Sequence, residues 1–369
     1  MTSIVLAGGG TAGHTSPLLA TAEQLLDAGA TLTCVGTPRG LENRVIPAAG
    51  LPLRLIPAVP LPRKPGLELA KVPWRLSGAV RVAKKILRET NAEVAVGFGG
   101  YVSLPVYFAA RALRIPVVIH EQNALPGLAN RGAARFAAAV LVSFPNTPLP
   151  RAQVTGLPIR AGLAELAKQG RAAFRTAGAA AFGLDPNLPT LLVSGGSQGA
   201  RSINTALLAA RAELLDAGIQ ILHVLGPQNM TAETVPLTSA AGVRYLPVAY
   251  VDRMEDAYAS ADLMLGRAGA ATVVETASIG LPAVYVPYPV GNGEQERNAA
   301  PVVAAGAGVL LKDADLTAAR LLAEVLPLLR DPARLATMAN AGRTLLPSAA
   351  AERVAAVVLG LVGSDGRRA

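Results

Sequence analysis

Three glycine-rich segments follow apolar, strand-like runs and contain residue types that could bind a phosphorylated ligand. They are residues 8–14, which hold the spacing G-x-G-x-x-G, residues 194–201 and residues 266–275. Glycine lets backbone N–H groups approach an anion closely, and the N-terminus of a following helix favours negative charge. The three segments therefore predict phosphate or substrate loops.

Residues near the first segment discriminate between two kinds of nucleotide site. A dinucleotide-binding fold usually has Asp or Glu about 20 residues on, at the end of the second strand. Residues 35–39 read Val-Gly-Thr-Pro-Arg instead, which disfavours NAD and leaves NADP as an alternative through Arg39. A Walker A loop needs Lys after its last glycine, where this chain has His14, so ATPase chemistry is disfavoured.

The second segment also matches the nucleophile elbow of hydrolases, through Gly195, Ser197 and Gly199. That mechanism needs an acid and then a histidine further along the chain, and only His223 follows. It follows too closely to allow the usual intervening strands and helices. Phosphate binding by backbone N–H groups and the Ser197 hydroxyl is therefore the preferred interpretation.

Other polar side chains follow predicted strands. Glu275 lies one turn inside the helix that the third segment begins, where a carboxylate favours the helix dipole and can also accept from two ribose hydroxyls. In the polar loop of residues 287–299, Gln295 and Asn298 could contact sugar hydroxyls. Residues 120–123, His-Glu-Gln-Asn, follow another strand and also indicate a site.

One acidic pair, Asp313 and Asp315, resembles a metal-binding D-x-D. It follows a strand and precedes a predicted helix over residues 316–329, so helix N-capping is the preferred interpretation. No His, Cys and Asp cluster has the spacing of metal ligands. We therefore predict that the reaction uses no metal and no cofactor.

The loops require a scaffold of alternating strands and helices. Strand-like and helical patterns alternate over residues 4–120 and again from residue 190, which predicts an α/β fold with parallel sheets. The Pro-containing stretch 145–158 separates the two series. We expect domains over residues 1–158 and 159–346, with residues 347–369 forming a helix that crosses back to the first domain.

The composition describes a globular protein with an anionic partner. Of 369 residues, 51% are hydrophobic and 16% are charged, which argues against disorder. The formal charge of +9 suits nucleic acid, an acidic membrane surface or phosphorylated substrates. The lone Cys34 cannot form an internal disulfide, and neither a secretory signal nor a transmembrane helix is expected.

One segment of the first domain mixes basic and apolar residues in a way that favours membrane docking. Its basic members are Arg63, Lys64, Lys71, Arg75, Arg81, Lys84, Lys85 and Arg88. Its apolar members are Leu67, Leu69, Trp74, Leu76 and Ile86. An ordinary basic helix packed on the sheet is the alternative; we expect an anionic lipid surface as the partner.

Taken together, the motifs resemble the MurG family of GT-B glycosyltransferases over nearly the whole chain. The segments that carry the resemblance are residues 8–14, 97–101, 120–123, 195–201, Arg267 with 269–275, and Gln295 with Asn298. The resemblance implies two Rossmann-like domains with parallel sheets facing across a cleft. It also implies a peripheral enzyme at the cytoplasmic face of the cell membrane that does not bind nucleic acid.

The activity implied by the resemblance is an inverting transfer of N-acetylglucosamine (GlcNAc) from UDP-GlcNAc to a lipid-linked MurNAc-pentapeptide acceptor in peptidoglycan synthesis. The implied donor contacts are Arg160 and Ser197 at the diphosphate, Val251 at the uracil, Ala270, Ala271, Thr272, Val273 and Val274 at the phosphates, Glu275 at the ribose and Gln295 at the sugar. Thr11, Ala12, Gly13 and Asn123 complete the site from the first domain. His14 is the implied general base, and the ordinary histidine pKa of about 6.5 suits that task.

Three alternatives stay open at this point. Another GT-B enzyme with a different nucleotide sugar or acceptor is the nearest, and an NADP-dependent oxidoreductase is the second. A non-catalytic adaptor for membranes or nucleic acid would share the basic charge, although it would not need three glycine-rich loops.

Overall fold

A computed structural model describes residues 2–59, 71–196, 198–232, 234–347 and 349–363. The chain divides into two units. The first is formed by residues up to Arg160 together with those from Pro347 onward, and the second runs from Ala161 to Leu346. Ile159 and Arg160, which we assigned to the second domain from the sequence, group with the first unit.

Each unit contains one seven-stranded sheet. The strands of the first are β1 (Ser3–Ala7), β2 (Thr31–Gly36), β3 (Leu53–Leu55), β4 (Val94–Gly97), β5 (Val117–Glu121), β6 (Ala139–Val142) and β7 (Ala152–Val154). Those of the second are β8 (Thr190–Ser194), β9 (Gln220–Val224), β10 (Leu237–Thr238), β11 (Arg244–Val248), β12 (Leu263–Gly266), β13 (Ala283–Tyr285) and β14 (Gly308–Leu310).

The strand orders are those of doubly wound folds. They are β3-β2-β1-β4-β5-β6-β7 in the first sheet and β10-β11-β9-β8-β12-β13-β14 in the second. Every described pairing is parallel except that of the short edge strand β10 with β11. The predicted α/β fold with a parallel sheet in each domain is confirmed.

Helices connect the strands in both units. Those of the first unit begin with α1 (Ala12–Asp27), α2 (Glu42–Ala48), α3 (Val72–Glu89), α4 (Ser103–Leu113) and α5 (Leu128–Ala133). The second unit has α6 (Ala161–Gln169), α7 (Arg175–Ala181), α8 (Arg201–Asp216), α9 (Met254–Ser260), α10 (Ala270–Ile279), α11 (Glu294–Ala304), α12 (Ala318–Leu329) and α13 (Pro332–Arg343). The last helix, α14, spans Ala350–Gly360. Among the described residues, short 3-10 helices cover Arg171–Phe174, Pro227–Asn229 and Asp313–Asp315.

The central strands are buried on both faces, which is why they read as unbroken apolar runs in the sequence. In β1, Val5 packs in one hydrophobic cluster, whereas its neighbours Ile4 and Leu6 pack in a second. Successive side chains of a strand point to opposite faces, so the two clusters are the cores on either side of the sheet.

The C-terminal helix α14 packs on the first unit. Its residues Val354 and Val358 are fully buried and join the cluster that contains Leu18 and Leu25 of α1. The chain thus begins and ends its described part in the same unit.

Candidate functional site

The glycine-rich loops lie where the strand order of each sheet reverses. Ligands of open α/β sheets bind outside the carboxyl ends of the strands at such a point. In the first sheet the two strands are β1 and β4, followed by residues 8–11 and 98–102. In the second they are β8 and β12, followed by residues 195–200 and 267–269. Topology therefore places the motifs of the sequence at the expected positions in each unit.

The first loop turns sharply into α1 and presents His14. Gly10 has φ +87°, a left-handed conformation that a residue with a side chain rarely adopts. Thr11 occupies the N-cap position of α1 without a side-chain capping hydrogen bond, and the first helical residues are Ala12 and Gly13. The Thr11 hydroxyl lies 3.0 Å from His14 Nδ1, so it fixes the rotation of the imidazole ring.

The His14 side chain is half-buried, and its pKa departs from the value that we expected. Loss of hydration lowers the His14 pKa to about 4, while the Glu42 charge and a hydrogen bond with the Gly9 backbone act in the opposite direction. A Cβ on Gly99 would lie 3.0 Å from His14 Cδ2, so the loop after β4 packs directly on the ring. The imidazole is therefore neutral at pH 7 and able to accept a proton, although it is a weaker base than free histidine.

A buried carboxylate that was not predicted from the sequence binds the backbone of the first loop. Glu42 is fully buried and accepts hydrogen bonds from Gly10 N at 2.8 Å, Thr37 N at 2.9 Å and Thr37 Oγ1 at 2.9 Å. Burial raises the pKa of Glu42, but these hydrogen bonds outweigh it and the net shift is downward. The carboxylate is thus charged in the folded protein.

Three glycines make room for the Glu42 carboxylate. A Cβ on Gly9, Gly36 or Gly40 would lie 2.4, 2.5 or 1.9 Å from an atom of Glu42, closer than atoms can approach. In the sequence Glu42 looks like an ordinary acidic residue in the first turn of a helix. The spaced glycines were the available signal, but they become informative only once the fold brings them to one carboxylate.

Residues 120–123 are mostly framework rather than an open polar patch. His120, Glu121 and Gln122 are buried, and Glu121 accepts from Asn123 N at 2.9 Å and from Gly127 N at 3.0 Å. His120 Nε2 lies 2.9 Å from the Gly156 carbonyl oxygen, and burial lowers the His120 pKa to about 4. We had expected all four to form a site; only Asn123 is partly exposed.

Arg160 lies beside α1 rather than with the second unit. Its Nε donates to Ser16 Oγ at 3.3 Å, two residues along α1 from His14, and the side chain is exposed. The guanidinium thus lies near the first loop.

In the second unit, the N-terminus of α10 has the geometry that suits an anion. Gly269 precedes the helix and has no side chain to cap it. The first N–H groups of an α-helix have no partner within the helix, and here they belong to Ala270, Ala271 and Thr272. The Val273 N–H donates to Gly269 O at 3.0 Å, and the Val273 and Val274 side chains are buried. Of the five residues predicted at the phosphates, the first three are therefore the ones suited to donate.

The side chains expected at the ribose and the sugar are already oriented. The Tyr258 hydroxyl donates to Glu275 Oε2 at 2.9 Å, and the Tyr288 N–H donates to Gln295 Oε1 at 2.9 Å. Asn298 differs from expectation, because it is fully buried and donates to the Ala268 carbonyl at 3.3 Å. It braces the loop before α10 instead of facing a ligand.

Of two further predicted residues in the second unit, Val251 is among the described residues and Ser197 is not. Val251 is buried, at 7% exposure, in the turn before α9. Ser197 lies outside the described residues, so its role stays a prediction. Gly199, two residues further along the chain, has φ +73°, and a Cβ there would lie 1.9 Å from the Leu225 carbonyl oxygen. Position 199 therefore accepts no side chain.

The D-x-D pair is neither a helix cap nor an open pair of ligands. Asp313 begins a 3-10 helix and forms an ion pair with Arg267, whereas α12 begins later and is capped by Thr317, which accepts from Arg320 N at 3.1 Å. The N-capping interpretation of Asp313 was therefore wrong, because a 3-10 turn separates it from α12. Asp315 is exposed.

The residues that the structure describes include neither a membrane-spanning helix nor a cluster of metal ligands. Within them, no helix has both the length and the apolar character needed to cross a bilayer. The same residues contain no group of three or more His, Cys, Asp or Glu side chains arranged to hold a metal ion.

The chain matches the glycosyltransferase family 28 N-terminal domain over residues 4–142 and the family 28 C-terminal domain over residues 190–354. It is 58% identical to the UDP-N-acetylglucosamine–N-acetylmuramyl-(pentapeptide) pyrophosphoryl-undecaprenol N-acetylglucosamine transferase of Cutibacterium acnes, with 97% of each chain covered. It is 56% identical to the protein of the same name from a Nocardioides species, over 99% of this chain and all of the relative.

Solved structures agree with this grouping. The crystal structure of Acinetobacter baumannii MurG has a TM-score of 0.78 and 29% identity, covering 98% of this chain and 100% of that one. A glycosyltransferase of kitacinnamycin, at 18% identity and a TM-score of 0.68, shares the fold. The protein belongs to the MurG family of glycosyltransferases.

Proposed function

We propose that the protein transfers GlcNAc from UDP-GlcNAc to a lipid-linked MurNAc-pentapeptide acceptor, as the names of its relatives describe for them. The observation that carries the proposal is the N-terminus of α10, where backbone N–H groups without a partner in the helix precede an oriented carboxylate, Glu275. Such a helix end suits a diphosphate, and a carboxylate one turn further suits ribose hydroxyls.

The chemistry is a single displacement with inversion at the anomeric carbon. The acceptor hydroxyl oxygen forms a bond to that carbon as the bond to the UDP phosphate oxygen breaks. Negative charge grows on the leaving diphosphate, and the fixed N–H groups of α10 stabilise it without reorganising. His14, neutral at pH 7 because its pKa is lowered to about 4, accepts the proton of the acceptor hydroxyl.

The test is a single-turnover assay with UDP-GlcNAc and lipid-linked acceptor, run beside a panel of other nucleotide sugars. We expect transfer from UDP-GlcNAc and little from UDP-glucose or thymidine diphosphate sugars. Efficient transfer from another donor would support a different GT-B glycosyltransferase. A change in NADPH fluorescence on binding would instead support the oxidoreductase.

We also propose that α3 docks the protein on an anionic membrane at the cytoplasmic face. Trp74 is 87% exposed, and Arg75, Arg81, Lys85 and Arg88 are exposed on the same helix. Ile86, predicted as part of this surface, is buried in the core instead. Arg63, Lys64, Leu67 and Leu69 lie outside the described residues. Each exposed basic residue near an acidic surface contributes about 1 kcal/mol at low salt.

Trp74 is the chain's single tryptophan, so its fluorescence is a direct probe of docking. Vesicles with anionic lipid should shift the emission to the blue, and high salt should reverse the shift. Zwitterionic vesicles should leave the spectrum unchanged. Arg75→Glu should weaken docking, whereas Arg334→Glu on α13 of the second unit should not. Docking that ignores salt and lipid charge would rule the proposal out.

A further inference from the structure

Arg267 lies in a buried polar cluster with Ser202 and Asp313, which we call the Arg267 cluster. The Arg267 side chain is 11% exposed and that of Asp313 is 17% exposed. Arg267 Nη1 donates to Asp313 Oδ1, Arg267 Nη2 donates to Ser202 Oγ at 3.0 Å, and Ser202 Oγ donates to Asp313 Oδ1 at 2.6 Å. A buried guanidinium needs such partners, because a charge in the protein interior is costly when unpaired.

The cluster also holds the loop that follows β13. Arg267 Nη1 donates to the Val286 carbonyl at 3.1 Å and to the Pro287 carbonyl at 3.2 Å. The Arg267 guanidinium carbon lies 5.5 Å from the centre of the Tyr288 ring, within the range of a cation–π contact. Arg267 thus fixes three consecutive residues of this loop.

From this loop the constraint passes to Gln295. The Tyr288 N–H donates to Gln295 Oε1, so the backbone that Arg267 fixes determines where the Gln295 amide lies. Asn298, one turn further along α11, donates to the carbonyl of Ala268, the residue after Arg267. Helix α11 is therefore tied at two points to the backbone around Arg267.

The elements that meet at the cluster all leave the carboxyl edge of the second sheet. Arg267 follows β12, Val286 and Pro287 follow β13, Asp313 follows β14, and Ser202 lies in the first turn of α8 after β8. A planar guanidinium presents five N–H donors in fixed directions, which suits one residue to joining several backbone segments.

We infer that Arg267 is a positioning residue that sets the orientation of Gln295, and thereby the recognition of the donor sugar, through the Arg267 cluster. The inference rests on the proposed function, since it takes Gln295 as the contact of the transferred sugar. The Asp313 carboxylate compensates the guanidinium charge, so Arg267 is poorly suited to stabilise the diphosphate itself.

The test compares UDP-GlcNAc with UDP in binding to wild type, Arg267→Lys, Asp313→Asn and Ser202→Ala. Lysine keeps the charge but cannot reproduce the forked geometry. We expect Arg267→Lys to weaken UDP-GlcNAc binding about tenfold and UDP binding less than about twofold, because only the sugar contact depends on Gln295. Ser202→Ala should act in the same direction with a smaller change.

Asp315→Asn is the matched control, because it alters the other acid of the same D-x-D at an exposed position. It should leave both affinities and thermal unfolding unchanged. In turnover, Arg267→Lys should raise KM for UDP-GlcNAc more than it lowers kcat. Raising the salt concentration should not restore the affinity of Arg267→Lys for UDP-GlcNAc.

Two results would overturn the inference, and a third concerns the proposed function. Equal losses for UDP and UDP-GlcNAc would place Arg267 at the diphosphate, and unchanged affinities in all three cluster variants would remove it from donor recognition. If Arg267→Lys does not fold, Ser202→Ala and Asp313→Asn decide the question alone. Wild type that binds neither compound would refute the proposed function instead.

Discussion

The two units hold their functional loops with buried charges of opposite sign. In the first unit the Glu42 carboxylate accepts from the N–H groups of Gly10 and Thr37. In the second, the Arg267 guanidinium donates to the carbonyls of Val286 and Pro287. The Glu42 carboxylate binds backbone N–H groups and adds negative charge next to the first loop. The Arg267 guanidinium binds backbone carbonyls instead, so it uses none of the backbone N–H groups of its own unit. From this difference we expect the second unit to bind an anion and the first to present a neutral base.

The largest effect should come from removing the base of the first unit. We predict that His14→Ala lowers the single-turnover rate about a hundred- to ten-thousandfold, the usual contribution of a positioned general base. Donor affinity measured by calorimetry should change little, because most of the expected donor contacts lie in the second unit. If His14→Ala instead lost donor affinity and kept its transfer rate, His14 would be a donor contact and not the base.

The next effect concerns the carboxylate of the second unit. Glu275→Ala should lower UDP-GlcNAc affinity by about one to two powers of ten, since hydrogen bonds to a charged group contribute about 1.5–3 kcal/mol. Thermal unfolding should change little. Glu213→Ala, at an exposed position of α8, is the control and should bind the donor normally.

A Glu275 that serves only the helix dipole would give the opposite pattern. Folding would then lose about 0.3–1 kcal/mol, with donor affinity intact. Tyr258→Phe sharpens the test, because it removes the hydroxyl that orients Glu275 and keeps the carboxylate. We expect a smaller loss of affinity for Tyr258→Phe than for Glu275→Ala.

Glu42→Gln tests the other side of the comparison. The amide group of glutamine would face a backbone N–H, so we expect a loss of about 1–3 kcal/mol in the free energy of unfolding. The pKa of Glu42 is lowered in the folded state from 4.5, so its charge contributes stability above pH 4.5 that is lost as the pH falls through the lowered pKa. The variant should lack this acid-dependent part, measured as unfolding by denaturant between pH 7 and pH 3.

The same variant should alter the base. Because the Glu42 charge raises the pKa of His14, its removal should move the His14 pKa further below about 4, as followed by nuclear magnetic resonance of the imidazole. UDP-GlcNAc affinity should be unaffected. An unchanged His14 pKa would separate the carboxylate from the base and leave Glu42 as a support of the loop alone.

Removal of divalent metal should have the smallest effect, with no change in the rate of transfer. We predict that transfer does not require a divalent metal, because Asp313 already has Arg267 as its cationic partner and Asp315 alone is a weak ligand set. Chelator should leave the single-turnover rate unchanged. Complete loss of transfer in chelator, with recovery on adding magnesium, would contradict the prediction. A metal ion, and not the N-terminus of α10, would then stabilise the charge on the leaving diphosphate.

Local patterns were sufficient for the scaffold. Most strands of both sheets could be predicted because buried parallel strands are continuous apolar runs, and the loops because Gly10 and Gly269 stand at strand-to-helix turns. The strands β3, β6, β7, β10 and β11 were not predicted from the sequence. Three of them, β3, β7 and β10, have only two or three residues, too few to show a pattern.

Contacts between residues distant in sequence were the part that could not be predicted. Glu42 is 32 residues from Gly10, and Arg267 is 46 residues from Asp313, so neither partner is visible in a local motif. The same reason explains Asn298 and residues 120–122, whose polar side chains suggested a ligand. Their partners include the backbone carbonyls of Ala268 and Gly156, and only the fold reveals them.

The return of α14 to the first unit has a consequence for synthesis on the ribosome. The cluster beneath β1 contains Val354 and Val358, so this core stays incomplete until residues 350–360 have emerged. The second unit, from Ala161 to Leu346, is continuous in the chain and has all of its residues earlier. The second unit, although it is synthesised after most of the first, can therefore finish folding first. The first unit has an exposed apolar groove until α14 has emerged.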